Sequence, residues 1–384
     1  MKIVLAPDSY KGSITAKEAC NAMEEGIRRV LPDAEIIHHP MADGGEGTVQ
    51  SLVDATGGTI YEATVMNPIG EPVAAKYGVL GDRLTAVIEM AEASGLYLIP
   101  ADRRNPMITT TYGTGELIMD AVNRGCRKFI IGLGGSATND GGTGMAQALG
   151  IRFLDGMGQE LPGGGGSLNR LYQIDMSGLD PRIRQCSFTA ACDVDNPLYG
   201  SNGASSVYGP QKGASPEMIA ALDDNLRHLA AIIEKCLGKS IANVPGAGAA
   251  GGLGAGIVAF LKGVMQKGVD IVIEATGLEA KLRDAHLVLC GEGQCDAQTA
   301  LGKTPFGVAQ LASKRSVPVI LIAGSVGQGA ETLYKHGVTS IFSMVNGPLS
   351  LEAAMLDAPR LLSDITERIM RVVVFGRGDA VVRQ

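Results

Sequence analysis

Apolar and polar positions alternate in two different rhythms along this chain, and the rhythm changes twice. At the start, residues 3–6 form a short apolar run that reads as a strand. Thr15 and Glu18 have the spacing of a capping box, and Ala19, Ala22, Met23, Gly26, Ile27 and Val30 fall on one face of the helix that follows. Pro32 stops that helix, residues 34–38 read as a second strand, and Gly44 and Gly45 open a helix carrying Val49, Leu52 and Val53 that Gly57 closes. The last third repeats this grammar: strand 286–290, helix 306–314, a fully apolar strand 317–323, a short helix 332–336, strand 340–345 and a long closing helix from Ser350. Strands alternating with helices imply parallel βαβ units.

The middle differs. Over residues 59–90 apolar runs are broken by the turn signals Asn67-Pro68 and Gly81-Asp82, which predicts antiparallel hairpins. A helix over 116–123 and a strand over 128–133 follow, then a glycine-rich loop and an irregular acidic and Asn-rich stretch at 190–206. A Ser215-Pro216 cap starts a helix through Ile219, Leu222, Leu226, Leu229 and Ile233 to Gly238. No internal repeat is visible. The ends look alike and the middle looks inserted. The expected fold is therefore α/β with two domains: a discontinuous, parallel, Rossmann-like domain from 1–65 and 286–384, and an inserted mixed α/β domain from 66–285. Ligands in such sheets lie beyond the carboxyl ends of strands, so the active site is expected in the cleft between the two domains.

Composition narrows the classes. With 384 residues, 45% apolar and 19% charged, the chain is neither disordered nor short of core. The net charge of −7, the absence of Trp and the low content of Tyr (9) and Phe (7) give no basic stripe and few stacking platforms, so neither nucleic acid nor a membrane surface is expected as a partner. Seven scattered cysteines with no C-x-x-C read as reduced cytosolic thiols, and the first apolar run is too short for a signal peptide. The uncharged stretch 240–261 holds too many glycines and a proline to read as a spanning helix. A cytoplasmic protein is expected. Glycine is the anomaly: 53 residues, about twice the usual fraction of roughly 7%.

Those glycines cluster with chemistry. Four segments each run from a short apolar strand into a loop of carboxylates, hydroxyls and glycine: residues 6–13 (APDSYKGS), 41–48 (MADGGEGT), 132–142 (GLGGSATNDGG) and 290–296 (CGEGQCD). Exposed backbone N–H groups bind anions and carboxylates hold divalent cations; phosphoryl transfer needs both, with cations over the moving phosphate. Residues 193–198 (DVDNPL) add two carboxylates and an amide at a strand end. Competing patterns are weaker. Gly132-x-Gly134-x-x-Ala137 resembles a dinucleotide fingerprint but does not open a helix at once, residues 297–304 (A-x-x-x-x-G-K-T) miss a P-loop at their first position, and the glycines around Gly246 and Gly251 read as a flexible hinge. The residues alone reach a two-domain α/β protein with anion and metal loops suited to phosphoryl transfer. A dehydrogenase of small hydroxy acids and a non-catalytic metabolite-binding protein remain as alternatives.

Together with residues 112–118 (YGTGELI) and 291–307 (GEGQCDAQTALGKTPFG), these segments span nearly the whole chain in order, and the chain resembles the class II glycerate kinases, bacterial D-glycerate 2-kinases. The resemblance implies ATP-dependent phosphorylation of D-glycerate on its 2-hydroxyl, with Mg²⁺, in the cytoplasm. The oligomeric state is left open, a homo-oligomer included. On this reading Asp193, Asp296 and Lys11 are the catalytic candidates. Asp8, Ser9, Lys11, Asp43, Gly44, Gly45 and Asn196 are the glycerate-binding candidates, and Gly134, Gly135, Ser136 and Lys303 the ATP-binding ones. Asp193, Glu292 and Asp296 are the metal-binding candidates.

Overall fold

The computed structural model describes residues 1–42, 45 and 47–376. They form two compact units, the first from the described residues of 1–43, 54–56 and 269–384, the second from those of 44–53 and 57–268. The expected division at 65/66 and 285/286 differs from this for two reasons. The strand Thr59–Met66 pairs with Pro72–Val79, inside the second unit's sheet. Val269 packs against Gly307, inside the first unit.

The first unit is built on five parallel strands in the order Val338–Ser343, Val319–Val326, Leu287–Cys295, Lys2–Leu5, Glu35–His38. Ile3, Val4 and Leu5 are fully buried, as a parallel strand covered on both faces requires. The helices Ala16–Arg28 and Ala358–Gly376 cover one face together, with Met23, Ile27, Leu361 and Met370 in the core beneath. The capping box forms as spaced: the Glu18 N–H donates to Thr15 Oγ1 (3.2 Å) and the Thr15 N–H to Glu18 Oε2 (2.9 Å). The expected closing helix is two, Leu351–Leu356 and Ala358–Gly376, interrupted at Asp357.

The chain moves from Lys2–Leu5 to its neighbour on one side, then returns to fill the other side with Leu287–Cys295 and the strands after it. The strand order therefore reverses between Lys2–Leu5 and Leu287–Cys295, which makes this the topological switch point of the sheet.

The second unit contains a six-stranded mixed sheet in the order Val264–Gln266, Ser187–Ala191, Lys128–Gly132, Thr85–Glu89, Pro72–Val79, Thr59–Met66. The expected hairpins are present: Thr59–Met66 and Pro72–Val79 pair antiparallel, and Asn67 Oδ1 accepts from the Ile69 and Glu71 N–H groups to shape their turn. The long helix Pro216–Leu237 has Ser215 as N-cap and Gly238 in the left-handed region at its end. No helix among the described residues is long and apolar enough to cross a membrane.

Candidate active site

Two of the glycine-rich segments meet at the switch point of the first unit. After strand Lys2–Leu5 the chain continues extended, and the Asp8 N–H donates to the Gly291 carbonyl (2.8 Å). Opposite, residues 291–295 are not the loop expected there. The strand Leu287–Cys295 continues to Cys295, with Glu292 beside Ala323 and Gln294 beside Ser325 of the next strand. Glycine permits this: a Cβ at Gly291 would overlap the Tyr10 hydroxyl, which donates to the Ile322 carbonyl (2.7 Å).

Asp8 and Glu292 are carboxylates with only 7% and 8% of their surface exposed. Each accepts a short hydrogen bond from a threonine of the segment before or at the start of helix Thr304–Ser313: Thr304 Oγ1 donates to Asp8 Oδ2 (2.6 Å) and Thr299 Oγ1 to Glu292 Oε1 (2.6 Å). These bonds hold the acids against the cost of burial. Both line a cavity of about 800 Å³, together with Ser9, Lys11 and Lys303. Five predicted residues from two distant stretches of sequence, 8–11 and 292–303, thus line one cavity, and Lys303 lies with the residues expected to bind glycerate.

Asp296 does not join them. It is absent from the cavity lining, and its carboxylate accepts from the Gln298 N–H (2.8 Å) and the Gln294 side-chain amide (3.0 Å), closing the turn before Thr299–Leu301. Asp43 and Gly44 lie outside the described residues, and the Gly45 carbonyl accepts from the Thr48 N–H (3.2 Å).

The remaining predicted residues belong to the second unit. Gly134 and Gly135 are exposed at the end of strand Lys128–Gly132, with Gly135 at φ +71°. Ser136 is buried, and its Oγ accepts from the Thr138 N–H (3.1 Å). Beneath this loop sits a residue that the sequence reading missed. Lys212, only 2% exposed, donates to the Thr138 carbonyl (2.6 Å). Burial pulls its ammonium down to about 7, with Asp140 pulling the other way. Asp140, itself buried, accepts from the N–H groups of Thr111, Gly142 and Gly144 and from Thr111 Oγ1, yet desolvation still pushes its carboxyl above the ordinary range. Nothing local in the sequence marks Lys212, a lone lysine in a turn.

The glycines around Gly251 pack against this loop rather than forming a hinge. Gly251 has φ +67°, a Cβ there would overlap the Thr138 carbonyl oxygen, and its own carbonyl accepts from the Gly141 N–H (3.0 Å). Asp193 is exposed and accepts from the Gly268 N–H (3.1 Å). Asn196 has both ends of its amide engaged, donating to the Asn202 carbonyl (2.8 Å) and accepting from the Tyr208 hydroxyl (2.7 Å), and so holds its own loop.

The dinucleotide pattern lacks its helix. After strand Lys128–Gly132 the next helix starts at Thr143, so no helix N-terminus follows the first glycines as that fingerprint demands. A switch-point cavity lined by two lysines and two buried carboxylates is instead what an enzyme of phosphoryl transfer requires: cations for polyanions, acids for a metal or a hydroxyl.

Comparison with known proteins agrees. The model of the Glycerate kinase family matches residues 3–374. A glycerate kinase of Halalkalibacterium halodurans is 54% identical over 367 residues, covering 96% of this chain and 97% of the relative. A glycerate 2-kinase of Escherichia coli K12 is 49% identical over 380 residues, covering 99% and 100%. A crystal structure described as a candidate glycerate kinase 2 from Salmonella typhimurium LT2 superposes with a TM-score of 0.91 at 47% identity, covering 98% of this chain and 99% of that one. By its fold and its relatives the protein is a kinase. The chain belongs to the glycerate kinase family.

Proposed function

We propose that this protein transfers the γ-phosphoryl group of ATP to glycerate, at the 2-hydroxyl of the D-enantiomer, in the cytoplasm. The observation that carries this reading is the convergence of Asp8, Lys11, Glu292 and Lys303 on one cavity at the sheet's switch point, in a chain of this family. Glycerate offers a carboxylate and two hydroxyls. Lys11 is assigned to its carboxylate and Lys303 to phosphate oxygens. In the second unit the exposed backbone of Gly134 and Gly135 offers N–H donors to an anionic oxygen, and Asp193 is assigned to accept the proton of the attacking hydroxyl. The hydroxyl oxygen forms its bond to the γ-phosphorus as the bridging bond to the β-phosphate breaks, and ADP leaves with that electron pair.

Magnesium fits the residues present. The described residues hold no group of three His, Cys, Asp or Glu able to cage a metal, but Mg²⁺ is commonly held by one or two carboxylates together with substrate phosphates. Asp8 and Glu292, buried acids on the wall that carries the lysines, are suited to that role, whereas Asp296 is committed to its turn. When bound, the ion would neutralise charge on the triphosphate.

The test is direct. Purified protein with D-glycerate and Mg-ATP should release ADP, and EDTA should stop it. The phosphorus NMR signal of the product should show coupling to a single CH proton. A CH₂ pattern would move the transfer to the 3-hydroxyl, and ADP release independent of glycerate would remove the activity altogether.

A further inference from the structure

The cavity around Lys11 and Lys303 is larger and more apolar than a three-carbon hydroxy acid needs. Beyond the charged residues it is lined by Val326, Met344, Val345, Leu349, Leu351 and Met355. Three of these expose apolar surface that no core requires: Val326 is 46%, Leu349 47% and Leu351 77% accessible. They stand beyond the ends of the last two strands of the sheet in chain order. Val326 closes strand Val319–Val326, Met344 and Val345 follow strand Val338–Ser343, and Leu349 and Leu351 come from the connection into the last helices. Glycerate has no face to offer such a wall, and a volume of about 800 Å³ lies toward the upper end of the range for pockets that hold whole organic cofactors.

One ligand of a kinase matches both halves of the cavity, a polyanion joined to a flat, weakly polar ring. We propose that this apolar wall is the purine pocket of the enzyme, with the base of ATP against Leu349, Leu351 and Met344 and its triphosphate directed to Lys303, beside the glycerate carboxylate at Lys11. The inference rests on the kinase reading above. It adds that the first unit, by itself, carries the nucleotide's base and phosphates. Burying a base there withdraws the exposed leucine surface from water, which is where the affinity for adenosine over bare phosphate arises.

The experiment separates base from phosphate. ADP and inorganic tripolyphosphate are titrated calorimetrically into the wild-type chain, into the double variant Leu349→Asn/Leu351→Asn, and into Leu356→Asn as a control. Leu356 is 87% exposed on the same short helix and absent from the cavity lining. The substitutions are neutral and on exposed positions, so charge and folding change little; far-ultraviolet circular dichroism checks the latter. The double variant should bind ADP at least tenfold more weakly and tripolyphosphate within twofold of wild type, and the control should match wild type for both. Unchanged ADP affinity in the double variant, or equal losses for ADP and tripolyphosphate, would overturn the purine pocket. A wild-type chain that binds ADP through this wall but does not phosphorylate glycerate would sink the kinase reading and leave the pocket standing.

Discussion

Single residues in this protein show how burial sets chemistry. His39 is 3% exposed, and its Nε2 lies 2.7 Å from Thr276 Oγ1, whose own proton goes to the Val272 carbonyl (2.6 Å). The ring nitrogen must therefore donate. Burial first, and the Lys281 cation second, pull the imidazole down from 6.5 to about 4. The folded state thus binds fewer protons than the unfolded one between these values. The stabilisation is present in full above pH 6.5 and is lost as the pH falls toward 4. Between pH 7 and pH 5 the wild type should lose roughly 2 kcal/mol more unfolding free energy than His39→Gln, read from urea titrations at each pH. Parallel pH dependence in the two proteins would show that His39 titrates normally.

At the scale of elements, the glycine-rich loop after strand Lys128–Gly132 is shaped by what packs against it. The backbone of Gly251 packs against it at Thr138, and the Lys212 ammonium donates to the Thr138 carbonyl. A paired substitution separates backbone strain from space. Gly57 and Gly251 have nearly the same φ, +66° and +67°, but a Cβ at Gly57 meets nothing within 4 Å whereas one at Gly251 strikes the Thr138 carbonyl oxygen. Gly57→Ala should cost about 1–2 kcal/mol, the price of the left-handed conformation alone. Gly251→Ala should cost several kcal/mol more, because backbone must move against backbone. Chemical denaturation of the two variants decides it; equal losses would mean that the loop yields freely.

At the scale of the whole molecule, the proposed reaction assigns a role to Glu292 and another to Asp193, which belong to different units. Glu292→Gln keeps an oxygen for Thr299 Oγ1 to donate to, and Asp193→Asn keeps one for the Gly268 N–H. Shape and folding should survive in both, and only the charge is lost. Each change should lower kcat by roughly 10²-fold or more with the melting temperature within a few degrees of wild type. For Glu292→Gln, raised magnesium should recover part of the loss. A variant with normal kcat and normal melting removes that residue from the chemistry.

The sequence by itself determined the elements and the class of chemistry. Hydrophobic period is a local property, so the parallel grammar at both ends, the hairpins after residue 59, the Thr15 and Ser215 caps and the glycine-carboxylate segments could be read from neighbours a few positions apart. The order of the motifs also pointed to the family. Tertiary structure decided what local pattern cannot carry: which segments meet. Lys303 joins Asp8 and Lys11 because strands Lys2–Leu5 and Leu287–Cys295 pair across the switch point, a contact between segments far apart in sequence. Asp296 carries the same carboxyl as Glu292 and stands only four residues on, yet its oxygens close a turn while Glu292 faces the cavity. Lys212 gave no local signal because its role depends on burial under a loop distant in sequence. Residue type and spacing are properties of the chain, whereas burial, register and the direction of a side chain arise only when distant segments exclude water from one another.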